Sequence, residues 1–580
     1  MSRKLILSRI LFHLRRRFRS SEAALIVLAV GIGLIAGVMT LFQGMLARSA
    51  QRLLYGIDIE RLSGVAAVGP TRLLALPLGG LVLAAIASAV GKRSRAPIDV
   101  VEANALHGGQ IPIRDSLLVS AQTLVSNGAG ASVGLEAAYA QMGGGVASLV
   151  GRWLRLRRSD LRVLVGAGAG AAVGAAFGAP LTGAFYAFEI VIGVYTPAAI
   201  APVAAAALAA AIVTRLSGSP SYLIGLPSAH AITTVHYFIY ACLGLVCAAI
   251  GIALMRLVTL IEWAVRRSTI PDLVRPVVGG FLLMPLAWLS PQTLSAGHGA
   301  LHLDLTMQVS LKLLAGVFFL KIAASAVSLG FGFRGGLFFA SLFLGSLAGQ
   351  IYASCIGLIP GFPAVDPNDA ALVGMAALAV AVVGGPMTMA MLVLESTHDF
   401  GLTGVAITAA LCASTAVREI FGFSFSTWRL HTRGETIRSA RDIGWIKALT
   451  AGRLMRGVPT ADAQSTIAEF RRRFPLGSAT SVVLLESDGT YAGIALTASA
   501  YAPGTEEQFS ARALAILTDD ALSPEQGAVD VMRTFERCEA DEMAVLDGNR
   551  RVLGIVSERF MRRRYTDEIE KAQRDLFGES

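Results

Sequence analysis

A succession of apolar stretches, some long enough to cross a bilayer and others plainly too short, constrains this chain more than any other feature. Residues 24–47 and 73–91 are full-length candidates, whereas 116–125 falls well short of the about 20 apolar residues that a crossing helix needs. The segments 161–178, 179–195, 197–214, 234–255, 276–289, 309–330, 336–358, 369–383, 386–395 and 402–416 follow, several of them short or interrupted by Gly and Pro. Backbone polar groups in lipid must be satisfied internally, so a helix ends at membrane depth only where its terminus is covered or lines a cavity. The pattern predicts an all-α polytopic membrane domain with broken helices. Composition agrees, because only 16% of the residues are charged, against about a quarter in a soluble globular chain.

Two interrupted segments match each other. Residues 178–189 read Gly-Ala-Pro-Leu-Thr-Gly-Ala-Phe-Tyr-Ala-Phe-Glu, and 384–395 read Gly-Gly-Pro-Met-Thr-Met-Ala-Met-Leu-Val-Leu-Glu. Pro180 precedes Glu189 by nine positions, as Pro386 precedes Glu395, which marks an internal repeat with a shift of 206. The same shift puts Gly130 on Gly336, in Phe333-Arg334-Gly335-Gly336-Leu337-Phe338. Matching interruptions in two halves point to a binding site at the repeat interface. Chance likeness between Gly/Ala-rich helices is the competing explanation.

Residues 127–143 carry the most chemistry. Gly128, Gly130 and Gly134 lead to a single carboxylate, Glu136, on the threshold of a small-residue helix. An ionisable group at membrane depth is a functional-site candidate, and a helix N-terminus offers N–H donors and a favourable dipole to an anion. Upstream, a polar break over 98–115 holds Asp99, Glu102 and His107, the last read as a helix-end residue. The turn Gly108-Gly109-Gln110-Ile111-Pro112 opens the short segment 116–125.

The flanks differ from the apolar part. Residues 1–22 hold Arg3, Lys4, Arg9, Arg15, Arg16, Arg17 and Arg19, a cytoplasmic anchor at the membrane surface. No cleavable signal peptide is expected, since this start runs directly into a full-length span. The net charge of +10 has no aromatic interleaving to suggest nucleic acid. No nucleophile–base pair, phosphate loop or His/Cys cluster suggests an enzyme or a metal. Cys242, Cys247, Cys355, Cys412 and Cys538 lack metal spacing and read as buried inert thiols. Residues 431–580 read as a soluble α+β module. Its helices are expected at 462–474 and 527–538, and its first strands at Thr480–Glu486 and Met543–Asp547. Turns at Asp488-Gly489 and Asp547-Gly548-Asn549 lead to second strands at Ala492–Leu496 and Val552–Ser557, so the unit occurs twice, 61 residues apart. The expected domains are thus 1–22, 23–430 and 431–580. With both flanks cytoplasmic, the membrane part crosses an even number of times.

The ordered motifs resemble the CLC family of chloride channels and chloride/proton exchangers. Its signature Gly-Ser-Gly-x-Ser-x-Gly-Arg-Glu-Gly-Pro-x-x-Gln is matched by Gly128, Gly130, Ser132, Gly134, Glu136 and Gln141. Leu135, Ala137 and Ala138 replace the family's Arg, Gly and Pro. The resemblance runs on through Pro180, Glu189, Gly335 to Phe338, Pro386 and Glu395, over roughly residues 20–430. It implies a homodimer in a bacterial inner membrane, both termini cytoplasmic, with one anion pathway per subunit. Two inverted repeats would aim broken-helix N-termini at dehydrated chloride. Glu136 falls on the gating glutamate: ionised, it occupies an anion site and blocks it; protonated, it swings out. A low-dielectric site disfavours a charged carboxylate, which would couple gating or exchange to protons.

The resemblance also assigns weaker positions. Gly109, Gln110 and Ile111 would form the anion loop, with Gly109 in place of a serine. Leu337 and Phe338 would donate backbone amides. Ser426 falls where the family carries an inner tyrosine, and Ile190 where exchangers often carry an inner glutamate, so channel-like conduction and proton-coupled exchange both stay open. Glu189 and Glu395 read as structural carboxylates. Arg334 either attracts anions at an entrance or joins an ion pair at a helix end. Residues 431–580 resemble a CBS-domain pair. Ser557 is followed by Phe560 and Thr497 by Ala500, without the Asp that holds a ribose, so no nucleotide and no other cofactor is expected. The alternative is a CBS-regulated transporter of another ion, such as a divalent cation, which would need several pore-facing carboxylates.

Overall fold

The computed structural model describes residues 21–57, 61–91, 97–218, 232–306, 310–360, 363, 365–431 and 449–577. The basic segment 1–22 lies outside them apart from Ser21, which caps the first helix, and Glu22, which begins it. The chain divides into two compact units, Met1–Asp442 and Ile443–Ser580.

In the first unit, helices follow one another in two matching series. The first runs α1 (Glu22–Tyr55), α2 (Ala75–Val90), α3 (Val100–Leu106), α4 (Ile113–Gly128), α5 (Glu136–Trp153), α6 (Arg158–Phe177), α7 (Pro180–Tyr186) and α8 (Pro197–Leu216). The second runs α9 (Thr234–Arg267), α10 (Arg275–Leu289), α11 (His298–Thr306), α12 (Leu311–Gly330), α13 (Phe338–Ile356), α14 (Pro367–Val383), α15 (Pro386–Thr397) and α16 (Phe400–Ile420). A short α17 (Phe425–His431) closes the unit. Among the described residues, eight helices are long and apolar enough to cross a membrane, and further apolar helices are shorter. This is an integral multi-pass membrane domain with broken helices.

The repeat is inscribed in hydrogen bonds. The amide of Gly134 donates to the Gly336 carbonyl at 2.9 Å, and that of Gly336 returns to Gly134 at 3.3 Å, an antiparallel bridge between equivalent loops. The Ser132 amide donates to Ser328 Oγ and the Arg334 amide to Ser126 Oγ. Reciprocal bonds between mates place a local two-fold axis through this bridge. They also correct the register: Gly336 pairs with Gly134, not with Gly130. The 206-residue shift holds at Pro180 and Pro386 but becomes 202 at the glycine loops. The connection from α13 to α14, 357–366, is longer than that from α5 to α6, 154–157.

Packing depends on small residues. A Cβ on Gly143 of α5 would overlap the Gly168 carbonyl of α6, and one on Gly345 of α13 would overlap the Gly374 carbonyl of α14. In lipid, where helices gain little from the hydrophobic effect on pairing, such backbone approach supplies van der Waals contact. The thiols depart from expectation: all five are free, but only Cys247 is buried, Cys355 is exposed and the rest are half-buried.

The second unit consists of two α+β repeats. One has β1 (Thr460–Asp462), helix Ile467–Arg473, β2 (Ser481–Leu485), β3 (Tyr491–Leu496) and β4 (Ala515–Ile516), in the order β1-β2-β3-β4. The other has helix Ala528–Cys538, β5 (Glu542–Leu546) and β6 (Val552–Ser557). Both hairpins are antiparallel with a bulge at the same place, and equivalent residues stand 61 apart, as the turn residues predict. The first helix begins later than expected, because Thr466 and Glu469 make a capping box.

Candidate functional site

Two helix N-termini meet at one cavity. α5 begins at Glu136 and α13 at Phe338, and the preceding residues, Leu135 and Leu337, provide no side-chain cap. The first N–H groups of a helix have no intrahelical acceptor, so both ends keep donors and positive dipole for an anion. Glu136, Ala137, Leu337 and Phe338 line a cavity of about 150 Å³. Phe338 is fixed by aromatic contacts, its ring centroid 5.3 Å from Phe177 and 6.1 Å from Tyr186.

Glu136 is only 3% exposed, and its Oε2 has no hydrogen-bond partner among the described residues. The carboxylate folds back over Gly134, where a methyl group would overlap Oε2. Gly134→Ala is therefore expected to push the carboxylate out of its seat while keeping its charge. Chloride flux from liposomes should rise at neutral pH and keep some pH dependence; flux equal to the parent's would show that the seat does not matter.

Ile190, Val383 and Ser426 line this cavity and also a larger one, of about 430 Å³, that reaches Glu189, Gly385 and Thr427. The two spaces together offer a route past a small hydroxyl. Other predicted residues surround the site without lining it. Ser132 bonds Ser325 Oγ at 3.0 Å, and Gln141 Nε2 donates to the Ile98 carbonyl at 3.0 Å. Gly130, at φ +90°, leaves room for Tyr55, whose hydroxyl donates to the Ala129 carbonyl. Gly128 packs against Ala50.

Pro180 and Pro386 open α7 and α15, and the two glutamates close a reciprocal latch on those openings. Glu189 accepts from the Met387 amide at 3.1 Å, the Thr388 amide at 2.8 Å and Thr388 Oγ1 at 2.7 Å. Glu395 accepts from the Leu181 amide at 2.8 Å, the Thr182 amide at 2.8 Å and Thr182 Oγ1 at 2.7 Å. Glu189 reaches its partners from a π-helical turn, Ala187–Ile192.

The anion loop must be moved. Gly109, Gln110 and Ile111 do not line the cavity with Glu136. Gly109 packs against Leu161 and Arg162, and the Ile111 amide donates to Ser148 Oγ. Ser148 lies twelve residues beyond Glu136 on α5, about 18 Å at the helical rise. The glycine turn joins α3 to α4, whereas Pro97 and Asp99, on the other side of α3, line the cavity. Asp99 caps α3 by accepting from the Glu102 amide.

Tyr186 also lines the cavity. Sequence reasoning missed it because it sought the inner tyrosine only near Ser426. Tyr186 stands four positions before Ile190, one helical turn, so the face on which Ile190 was noted contained the signal.

The chain resembles known proteins in sequence and in fold. A family profile described as "Voltage gated chloride channel" matches residues 79–418. A putative chloride channel protein, ClcB-like, of Ralstonia nicotianae is 30% identical over 361 residues, 61% of this chain and 84% of that protein. The solved structure of a slow cyanobacterial Cl−/H+ antiporter is similar with a TM-score of 0.62 at 22% identity, covering 70% of this chain and 97% of its own. A eukaryotic CLC transporter covers 95% of this chain and 98% of its own at a TM-score of 0.59 and 17% identity.

Proposed function

Because this chain belongs to the voltage gated chloride channel family, we propose that it carries chloride past Ser426 and the paired helix ends, with the Glu136 carboxylate as the movable stopper. The observation that carries this reading is the carboxylate seated where the uncapped ends of α5 and α13 converge. A carboxylate there supplies the negative charge that chloride would otherwise supply. Ionised, it holds the site closed; neutral, it gives way to the ion. Tyr186 and Ser426 line the same space and offer hydroxyl donors to an anion in passage.

The reading is passive, proton-gated conduction. Ile190 offers no proton to the inner side of the cavity, and Glu189 spends its carboxylate on the α15 end. We place the protein as a homodimer in the bacterial inner membrane, with one pathway per subunit. The basic start and the charged second unit favour cytoplasmic termini by the positive-inside rule. The second unit acts as a CBS-type dimer-stabilising or gating module without nucleotide, since Ala500 and Phe560 stand where a ribose carboxylate would be needed.

Purified protein in chloride-loaded liposomes tests the reading. Chloride should leave when a potassium ionophore balances charge, and a chloride gradient alone should drive no proton uptake. Uphill proton movement would replace the channel reading with exchange. No flux of any small anion would sink both.

A further inference from the structure

A buried ammonium is tied to the loop that carries Glu136. Lys321 of α12 is 0% exposed, and its Nζ donates to the Ser295 carbonyl at 2.8 Å and the Thr293 carbonyl at 3.1 Å. The Phe343 ring of α13 lies 5.9 Å from the same nitrogen. A charge withdrawn from water needs polar groups in place of its hydration, and one held at membrane depth is a functional candidate. Both carbonyls belong to the turn between α10 and α11, where Ser295 adopts φ +53°. A non-glycine residue keeps that conformation only where its surroundings hold it, and Lys321 is one of the groups that do.

From this turn the bonds lead to the glycine loop. The Ser295 amide donates to the Gly130 carbonyl at 2.9 Å. Its hydroxyl accepts from Asn127 Nδ2 at 3.0 Å and from Gln51 Nε2 at 3.2 Å. Asn127 Nδ2 also donates to the Val133 carbonyl at 2.8 Å, so both of its hydrogens hold the loop. Gln51 Nε2 closes the cluster on the Asn127 carbonyl and Oδ1, each at 3.0 Å. Gln51, Asn127 and Ser295 are all buried. Val133 precedes Gly134, over which the Glu136 carboxylate folds.

The repeat itself does not ask for the ammonium. α4 and α12 bond the opposite loop alike, through Ser126 and Ser328. At the 202-residue register of those loops the mate of Lys321 is Val119 (321 minus 202). Val119 lines the Glu136 cavity, whereas Lys321 reaches the Ser295 turn. The titratable and charged groups that share the cavity with Glu136 are Asp99, Tyr186, Arg334 and Arg429, and those beside Ser295 are Arg48, Arg61 and His298.

We propose that Lys321 is a positioning residue of the gate, which through Ser295 and Asn127 holds the glycine loop in the shape that seats the Glu136 carboxylate. It rests on the reading that Glu136 is the stopper. Lys321→Met keeps the length of the side chain and removes the ammonium. With the seat loosened, the ionised carboxylate holds the site less well, so less acid is needed to open it. The curve of chloride flux against pH should move toward alkaline pH, raising flux at neutral pH on the order of tenfold.

Ser295→Ala, which removes one hydroxyl, should move the curve the same way by less. The double variant should shift no further than Lys321→Met alone, because both act along one path. Hydrogen exchange, read by mass spectrometry, should quicken in the peptide spanning 127–136. A lower melting temperature with an unmoved flux curve would make Lys321 a packing group and overturn the proposal, as would shifts that add in full. If Lys321→Met does not assemble, an unmoved curve in Ser295→Ala overturns it alone. Glu136→Gln separates the two readings. If that variant keeps the parent's pH slope, the stopper reading fails and this one with it; if it loses the slope while Lys321→Met keeps the parent's curve, only the positioning role fails.

Discussion

Glu136→Gln is expected to give chloride flux that is high at every pH, while the parent's flux falls as pH rises. The sign follows from charge. Protonation neutralises the carboxylate and ends its attraction to the α5 and α13 ends, so acid opens the parent and base closes it. Glutamine keeps nearly the same volume but never ionises, so the slope disappears. A charge at a partly buried helix N-terminus is worth up to about 2 kcal/mol, and flux at neutral pH should therefore rise by roughly ten- to thirtyfold. The measurement is chloride efflux from liposomes over the acid-to-neutral range, at matched protein content. A glutamine variant that keeps the parent's pH slope removes Glu136 from the gate and leaves the family assignment standing.

Loss of either latch carboxylate should produce the largest stability effect. Glu189 and Glu395 each accept three hydrogen bonds from the first turn of a helix in the other half. Hydrogen bonds to a charged group contribute about 1.5–3 kcal/mol each, and stranded donors add a further cost. Both carboxylates are half-buried rather than sealed, so water takes up part of the loss. Glu189→Ala and Glu395→Ala are each expected to cost about 2–4 kcal/mol, seen as a lower melting temperature in detergent. The glutamine variants keep one acceptor oxygen and should recover part of it. Glu189→Gln should retain the parent's pH slope in flux. If that slope is lost, Glu189 takes part in gating and is not merely a latch.

These expectations show which parts of the molecule were legible in the chain. The α+β repeat was, because Asp488-Gly489 and Asp547-Gly548 fix hairpin turns and so fix the strands on either side. The Pro180/Glu189 and Pro386/Glu395 pairs were legible as a repeat, since proline marks a helix start and the carboxylate returns at equal spacing. Their hydrogen bonds across the repeat interface were not, because spacing within one segment says nothing about which helix end the side chain will meet. The glycine turn at 108–112 misled for a related reason. Its local pattern suits an anion loop, but only the direction of the seven-residue α3 decides which of its ends faces Glu136. The register of Gly130 failed where insertions in the connection from α13 to α14 had accumulated, a place that helix periodicity does not report. Tyr186 needed three dimensions, since the residues that share its cavity come from α5, α13 and α17.

The bridge between Gly134 and Gly336 also bears on how the protein is made. Its two strands are 202 residues apart (336 minus 134), and the first leaves the ribosome well before the second exists. At about 5–20 residues per second, some 10–40 s pass before the mate emerges. Through that interval the Gly134 amide lacks the Gly336 carbonyl that it meets in the folded chain. A chain halted between the repeats would therefore hold a polar, unpaired stump at membrane depth, and membrane quality control would be expected to recognise that stump before any loss of transport became apparent.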